Sequence, residues 1–150
     1  MKRLPPRMRL VGYLTLLPFF ILTLALLTKS SLPGLGNARL DWWLATYAAL
    51  VLSFWGAVHW GFVLGMQDWL SEPDTRRLIQ YSTAPAIAAW FTFLVPIKIA
   101  LILLAILLAL AYAADVWLLY DHIKRYPDYP RLRRNLTIIA VVLMLLAAIA

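Results

Sequence analysis

Residues 10–27 pass without a single charged side chain. In water a run of this length would need a large core to hide in. In a bilayer it matches one crossing, about 27 Å of helix against a hydrocarbon core of roughly 30 Å. Backbone amides cannot stay unpaired in hydrocarbon, so such a run must cross as a helix that bonds to itself. Similar runs recur along the chain, and they set the expected fold class: an all-α polytopic integral membrane protein, read as a bundle of five transmembrane helices.

Composition agrees with that reading and bounds the rest. Apolar residues make up 63% of the chain and charged residues 14%, whereas soluble domains carry about 45–50% and about 25%. The 150 residues allow one transmembrane domain over 1–150 and no second soluble module. No cysteine is present, which excludes disulfides, thiolate chemistry and sulfur-bound zinc. The net charge of +7 would suggest nucleic acid on a soluble protein. Here the cations flank apolar runs, the pattern of anchoring at an anionic membrane face, so no nucleic-acid role is expected.

The expected spans are 10–27, 42–66, 78–95, 97–120 and 132–150. The cationic start followed by Pro5 and Pro6 resembles a signal peptide. The run after it is too long for an h-region and lacks a small-residue cleavage site, so it reads as a retained first helix. The loop at 32–37 is rich in turn residues. In the polar stretch 67–80, Ser71, Pro73 and Asp74 mark a helix start with a capping side chain. Pro85 predicts a local bend. Residues 83–120 are apolar for longer than one span uses, and Pro96 with Lys98 points to a tight turn there, because one long helix would strand Lys98 in hydrocarbon.

If the N terminus is cytoplasmic, eleven of the cations fall inside (Lys2, Arg3, Arg7, Arg9, Arg76, Arg77, Lys124, Arg125, Arg131, Arg133 and Arg134). Lys29, Arg39 and Lys98, three in all, fall outside. This positive-inside split predicts an inner-membrane orientation with the N terminus cytoplasmic and the C terminus on the outer, periplasmic side; the bacterial setting is what the family resemblance below implies.

Two groups of residues on the second span stand out. Ser53, Ala57, Gly61 and Gly65 repeat every four residues and make a small-residue face suited to close helix packing. His59 lies roughly 12 Å from the inner helix end by helix rise, and Asp115 on the fourth span roughly 9 Å from its own. The matched depths predict a buried polar or ligand site of Trp55, Gly56, His59, Trp60, Tyr112 and Asp115, with Tyr112 and Trp60 as hydrogen-bond partners. A structural link is the plainest role for it, with quinone or lipid-headgroup recognition and a proton relay as alternatives. Haem ligation is disfavoured, because His122, the only other histidine, lies in or beside the loop and a haem would need an unusual second ligand. Trp55, Trp60 and Trp90 are the tryptophans that could line a planar ligand pocket, with a lipid-facing or helix-packing role the commoner explanation. No nucleotide fingerprint, catalytic triad or metal-ligand spacing is legible, so no catalytic or metal residue is assigned.

The stretch 52–65, with its Ser-Phe-Trp-Gly-Ala-Val-His-Trp-Gly core, resembles an uncharacterised family of small bacterial inner-membrane proteins that has a mitochondrial transmembrane relative. The likeness extends over the first span, the Gly/His/Trp helix, the paired third and fourth spans ending at Asp121, and the Tyr/Pro/Arg-rich turn 129–134. It implies a multi-helix membrane protein, brings no enzyme activity, and places the family's characteristic residues at Gly56, His59, Trp60 and Gly61.

Small size, short loops and the packing face lead to the expectation of an accessory or assembly subunit of a larger inner-membrane complex, such as a respiratory one, without catalysis of its own. The alternative is a small quinone-, lipid- or haem-associated protein with its polar site around His59 and Asp115. Membrane lipid is the expected bound molecule, and no cofactor is required. A channel or transporter is disfavoured by the lack of a hydrophilic path and of an inverted repeat.

Overall fold

The computed structural model of the chain describes residues 4–31, 39–123 and 128–150. The expected loop at 32–37, the cations Lys2, Arg3, Lys124 and Arg125, and the side chain of His122 lie outside the described residues. The first apolar run forms two helices, α1 (Pro6–Leu14) and α2 (Leu17–Thr28). Pro18 explains the break: it has no N–H to give the Leu14 carbonyl, and its ring crowds that turn. The chain tightens there, with Leu16 N–H on the Tyr13 carbonyl at 3.0 Å and Thr15 Oγ1 on the Gly12 carbonyl at 2.6 Å. The Thr15 carbonyl is met from outside the helix, by the Tyr47 hydroxyl at 2.8 Å.

α3 (Leu40–Met66) and α4 (Glu72–Phe91) pack closely against each other. Ser71 caps α4, accepting from Asp74 N–H at 3.3 Å, and its hydroxyl also donates to the Asp74 carboxylate at 2.6 Å, as the sequence around Ser71 predicts. α4 runs back along α3, for Gly56 faces Ser82 and Pro85, and Trp42 at the start of α3 stacks on Phe93 just past the end of α4. A short 3-10 turn at Thr92–Leu94 and an extended Val95 precede α5 (Ile97–Ile123). Extended backbone is what a residue before proline adopts. Residues 83–120 are therefore two helices with a tight turn. α6 (Asp128–Ile149) packs along α5. Arg9 of α1 bonds Asp128 at 2.7 Å, so α1 and α6 begin at the same end of the bundle.

Among the described residues, four helices are long and apolar enough to cross a membrane: Pro6–Thr28, Leu40–Met66, Ile97–Leu119 and Asp128–Ile149. The protein is a multi-spanning, all-α membrane protein, and this count corrects the expectation of five spans. The span expected at 78–95 lies on α4, whose first turns carry Glu72, Asp74, Arg76, Arg77 and Gln80. What remains from Leu78 to the helix end at Phe91 is about 14 residues, roughly 21 Å at helix rise. Ser82, Thr83 and Pro85 interrupt it further. The apolar signal at 78–95 came partly from Leu94 and Val95, which are outside the helix. The division of cations into eleven and three assumed that span, and is not carried forward.

The core is built from helix faces at a period near 3.6: Leu44, Ala45, Ala48 and Leu52 on α3, Leu101, Leu104, Ala105 and Leu108 on α5, and Ala140, Met144 and Ala147 on α6, with Phe19 and Leu22 from α2. Alanines at these positions let backbones approach where hydrocarbon solvent removes the usual drive to bury apolar groups. The outward faces present Phe54, Leu64, Leu94 and Leu110, each more than half exposed. That surface suits acyl chains rather than water.

Candidate functional site

The buried face of α3 continues from Leu52 through Gly56 and His59 to Val63. One helical face thus delivers both a glycine and a histidine into the protein. A Cβ on Gly56 would collide with the backbone carbonyl of Ser82, so the absent side chain is what allows α4 to sit this close. Ser82 Oγ donates to the Ile79 carbonyl at 2.6 Å, and Tyr81 beside it lays its ring edge-on to His59, with centroids 4.8 Å apart.

His59, Asp115 and Arg133 are the buried ionisable side chains among the described residues, 1%, 4% and 6% exposed. Arg133 grips Asp115 Oδ2 with Nε at 2.8 Å and Nη2 at 2.5 Å. Oδ1 of the same carboxylate is left for His59 Nε2, which lies 3.3 Å away. His59 Nδ1 is 3.2 Å from the Trp55 carbonyl one turn earlier, and the central carbon of the Arg133 guanidinium lies over the Trp55 ring, 3.2 Å from its centroid. Counting helix rise from the nearby ends of α3, α5 and α6, the cluster sits about 8–12 Å inside them. A charge at that depth must be paired, and here the Asp115 carboxylate holds Arg133 and lies beside His59.

Of the residues singled out in the sequence, Trp55, Gly56, His59 and Asp115 come together. Trp60 points outward, 54% exposed, and Tyr112 is half-buried with no hydrogen bond to the cluster. Trp90 is 64% exposed. In the repeat Ser53, Ala57, Gly61 and Gly65, Ser53 Oγ bonds its own helix at Ala49, and a Cβ on Gly61 or Gly65 would meet nothing within 4 Å. That face of α3 is not packed by the described residues of this chain, because the contacting stripe lies one residue over, on Leu52, Gly56, His59 and Val63. Arg133 and Tyr81 were missed. Arg133 was read with Arg131 and Arg134 as an interface cation. The signal that separates it is periodic: Arg133, Thr137, Ala140, Met144 and Ala147 form the buried stripe of α6.

Beside the cluster a groove of about 450 Å³ opens between α1, α3 and α6. Its lining is almost wholly apolar and includes Val11, Gly12, Phe54 and Leu132, with Trp55 and Arg133 in its wall. Pockets of this size hold small ligands by apolar contact and orient them by a few polar groups. Haem fits poorly, because both ring nitrogens of His59 are directed at protein oxygens and neither faces the groove. Among the described residues, no group of three or more His, Cys, Asp or Glu side chains could hold a metal ion.

These features define a multi-spanning helical membrane protein with a buried His-Asp-Arg cluster and no recognised catalytic motif. The chain belongs to the family described as "Protein of unknown function (DUF3429)", whose model matches residues 4–149, in agreement with the resemblance read from the Gly/His/Trp helix. It is also similar to "Transmembrane protein 69" of Xenopus tropicalis, 34% identical over 99 residues that cover 63% of this chain. The match spans about a third, 36%, of that relative's length. No solved structure matches the chain.

Proposed function

We propose that this protein is a membrane-embedded binding protein for a lipid-soluble amphiphile, a lipid or a quinone, whose tail lies in the groove between α1, α3 and α6 and whose polar head reaches the His59–Asp115–Arg133 cluster. The observation that carries this reading is the placement of a buried arginine in the wall of an otherwise apolar groove. Apolar lining supplies affinity for a tail, and one polar wall fixes the head. Mild detergent extraction followed by native mass spectrometry and solvent extraction is expected to find one lipid or quinone per chain. A chain that emerges with no bound small molecule, and takes up none when lipid or quinone is added back, would overturn the reading.

A second reading, an accessory or assembly subunit of a larger inner-membrane complex, draws support from the open small-residue face of Ala57, Gly61 and Gly65. The same extraction tests it, since a protein recovered at fixed stoichiometry is expected on that reading alone. The inner membrane with a cytoplasmic N terminus is the proposed location. Arg7 and Arg9 on α1 and Arg131 and Arg134 on α6 gather at one bundle end, held together by the Arg9–Asp128 pair. Ser30→Cys, past the far end of α2, is expected to react with an impermeant thiol reagent added to the periplasmic side, and labelling only after cell lysis would reverse the orientation.

A further inference from the structure

One wall of the groove is held far less firmly than the others. Met8, Val11, Gly12 and Thr15 supply it from α1, at the spacing of a single helix face. Within α1 no residue is buried, whereas α2, the continuation of the same apolar run, buries Phe19, Leu22, Thr23 and Ala25. α2 packs on both α3 and α6, and α1 chiefly on α6. The buried anchors of α1 flank it: Leu4 just before and Leu16 just after, 8% and 5% exposed.

The Leu16 end is built as a pivot. Pro18 offers the Leu14 carbonyl no N–H, so the hydrogen-bond ladder of α1 does not run on into α2 at that point. The Tyr47 hydroxyl of α3 holds the Thr15 carbonyl at 2.8 Å, which ties the joint to the bundle and leaves α1 free to turn about it. The Leu4 end is built as a latch. Arg9 Nη2 meets Asp128 Oδ2 at 2.7 Å, with side chains 49% and 21% exposed, and an exposed ion pair is weak. Between the two ends, a Cβ on Gly12 would lie 3.4 Å from the Leu136 side chain and 3.5 Å from that of Leu132, ordinary contact with nothing interlocked. Exchanging leucine neighbours for acyl chains costs little, because lipid tails are as apolar as leucine. The apolar contacts of α1 therefore hold it less firmly than they would in water, and a lightly packed helix joined at a proline break is a segment that turns as a unit.

We infer that α1 is a hinged gate: it pivots at Thr15 and Leu16 against Tyr47 and parts from α6 at the Arg9–Asp128 pair, widening the groove to let a lipid-soluble tail in from the bilayer and closing over it afterwards. This gate rests on the binding role just proposed, whose ligand it admits. α1 is the wall that moves aside without unpacking the core, since the core is made by the faces of α2, α3, α5 and α6.

The chain has no cysteine, so an introduced thiol is the sole reporter. Leu132→Cys places one beneath α1, at a position 9% exposed, and Leu52→Cys places one in the core, at a position 0% exposed. In nanodiscs N-ethylmaleimide should label the first about threefold to fivefold faster once Arg9→Gln removes the latch, and should leave the second unlabelled with or without that change. For entry, Arg9→Cys with Asp128→Cys, joined by a reducible bis-methanethiosulfonate bridge, fastens α1 to α6. In mild detergent the bridged full chain should take up decyl-ubiquinone or phosphatidylglycerol at least about tenfold more slowly than the same chain after reduction, read by native mass spectrometry. Labelling at Leu132→Cys that Arg9→Gln leaves unchanged, or that rises equally at Leu52→Cys, overturns the gate. Uptake at one rate with and without the bridge also overturns it and leaves the binding role standing. Uptake of neither compound by either form removes the binding role, and the gate with it.

Discussion

Asp115→Ala should destabilise the folded protein by about 3–5 kcal/mol, the cost of leaving buried charges without their partner. Both basic groups of the cluster depend on this one carboxylate: Arg133 through Oδ2 at 2.8 and 2.5 Å, and His59 beside Oδ1 at 3.3 Å. Its loss strands a guanidinium that is 6% exposed and an imidazole that is 1% exposed, at a depth where water cannot replace the carboxylate. Thermal unfolding in mild detergent measures the effect. Asp115→Asn keeps shape and one acceptor oxygen, so it should cost less than alanine and more than a surface change. In a double-mutant cycle, His59→Ala and Asp115→Asn should couple by at least about 1 kcal/mol. Simple additivity would mean that the 3.3 Å approach carries no energy.

Gly56→Val is the second large effect, expected at about 2–3 kcal/mol and read by the same unfolding measurement, with α4 displaced from α3. The steric obstacle is the carbonyl of Ser82, which is backbone and cannot rotate away, and the neighbouring Pro85 ring stiffens that stretch of α4. A side chain at Gly61 or Gly65 meets open space instead, so Gly61→Val should change stability by less than about 1 kcal/mol, valine being a slightly better helix former than glycine. Equal losses at Gly56 and Gly61 would show that the close approach of α4 at Gly56 is not what decides. Because Gly56 lies one turn from His59, displacement of α4 should also remove Tyr81 from the imidazole face. Gly56→Val should therefore weaken ligand retention along with stability.

Much of this arrangement is legible in the residues, and what is not has identifiable causes. The long apolar runs announce helices because hydrocarbon offers no other partner for the backbone. Ser71 and Pro96 mark a helix start and a tight turn by local chemistry. The expected third span went astray because an apolar average over 78–95 mixes the end of α4 with residues of the following turn. The small-residue repeat Ser53, Ala57, Gly61 and Gly65 starts one residue, about 100°, around α3 from the stripe Leu52, Gly56, His59 and Val63, which is the one that turns into the protein.

The linear chain determined the solvent this protein lives in, the helical character of its crossings, and the two buried groups His59 and Asp115, since each of these follows from local composition and depth along a helix. Only the packing of α6 against α5 and α2, with Arg133 reaching over Trp55 of α3, decided that Arg133 turns inward to hold Asp115, that Trp60 and Tyr112 stand aside, and that a groove opens beside the cluster. Contact between helices depends on which faces meet, and that is set by interlocking shapes and backbone approach across distant segments, which neither spacing nor hydropathy records.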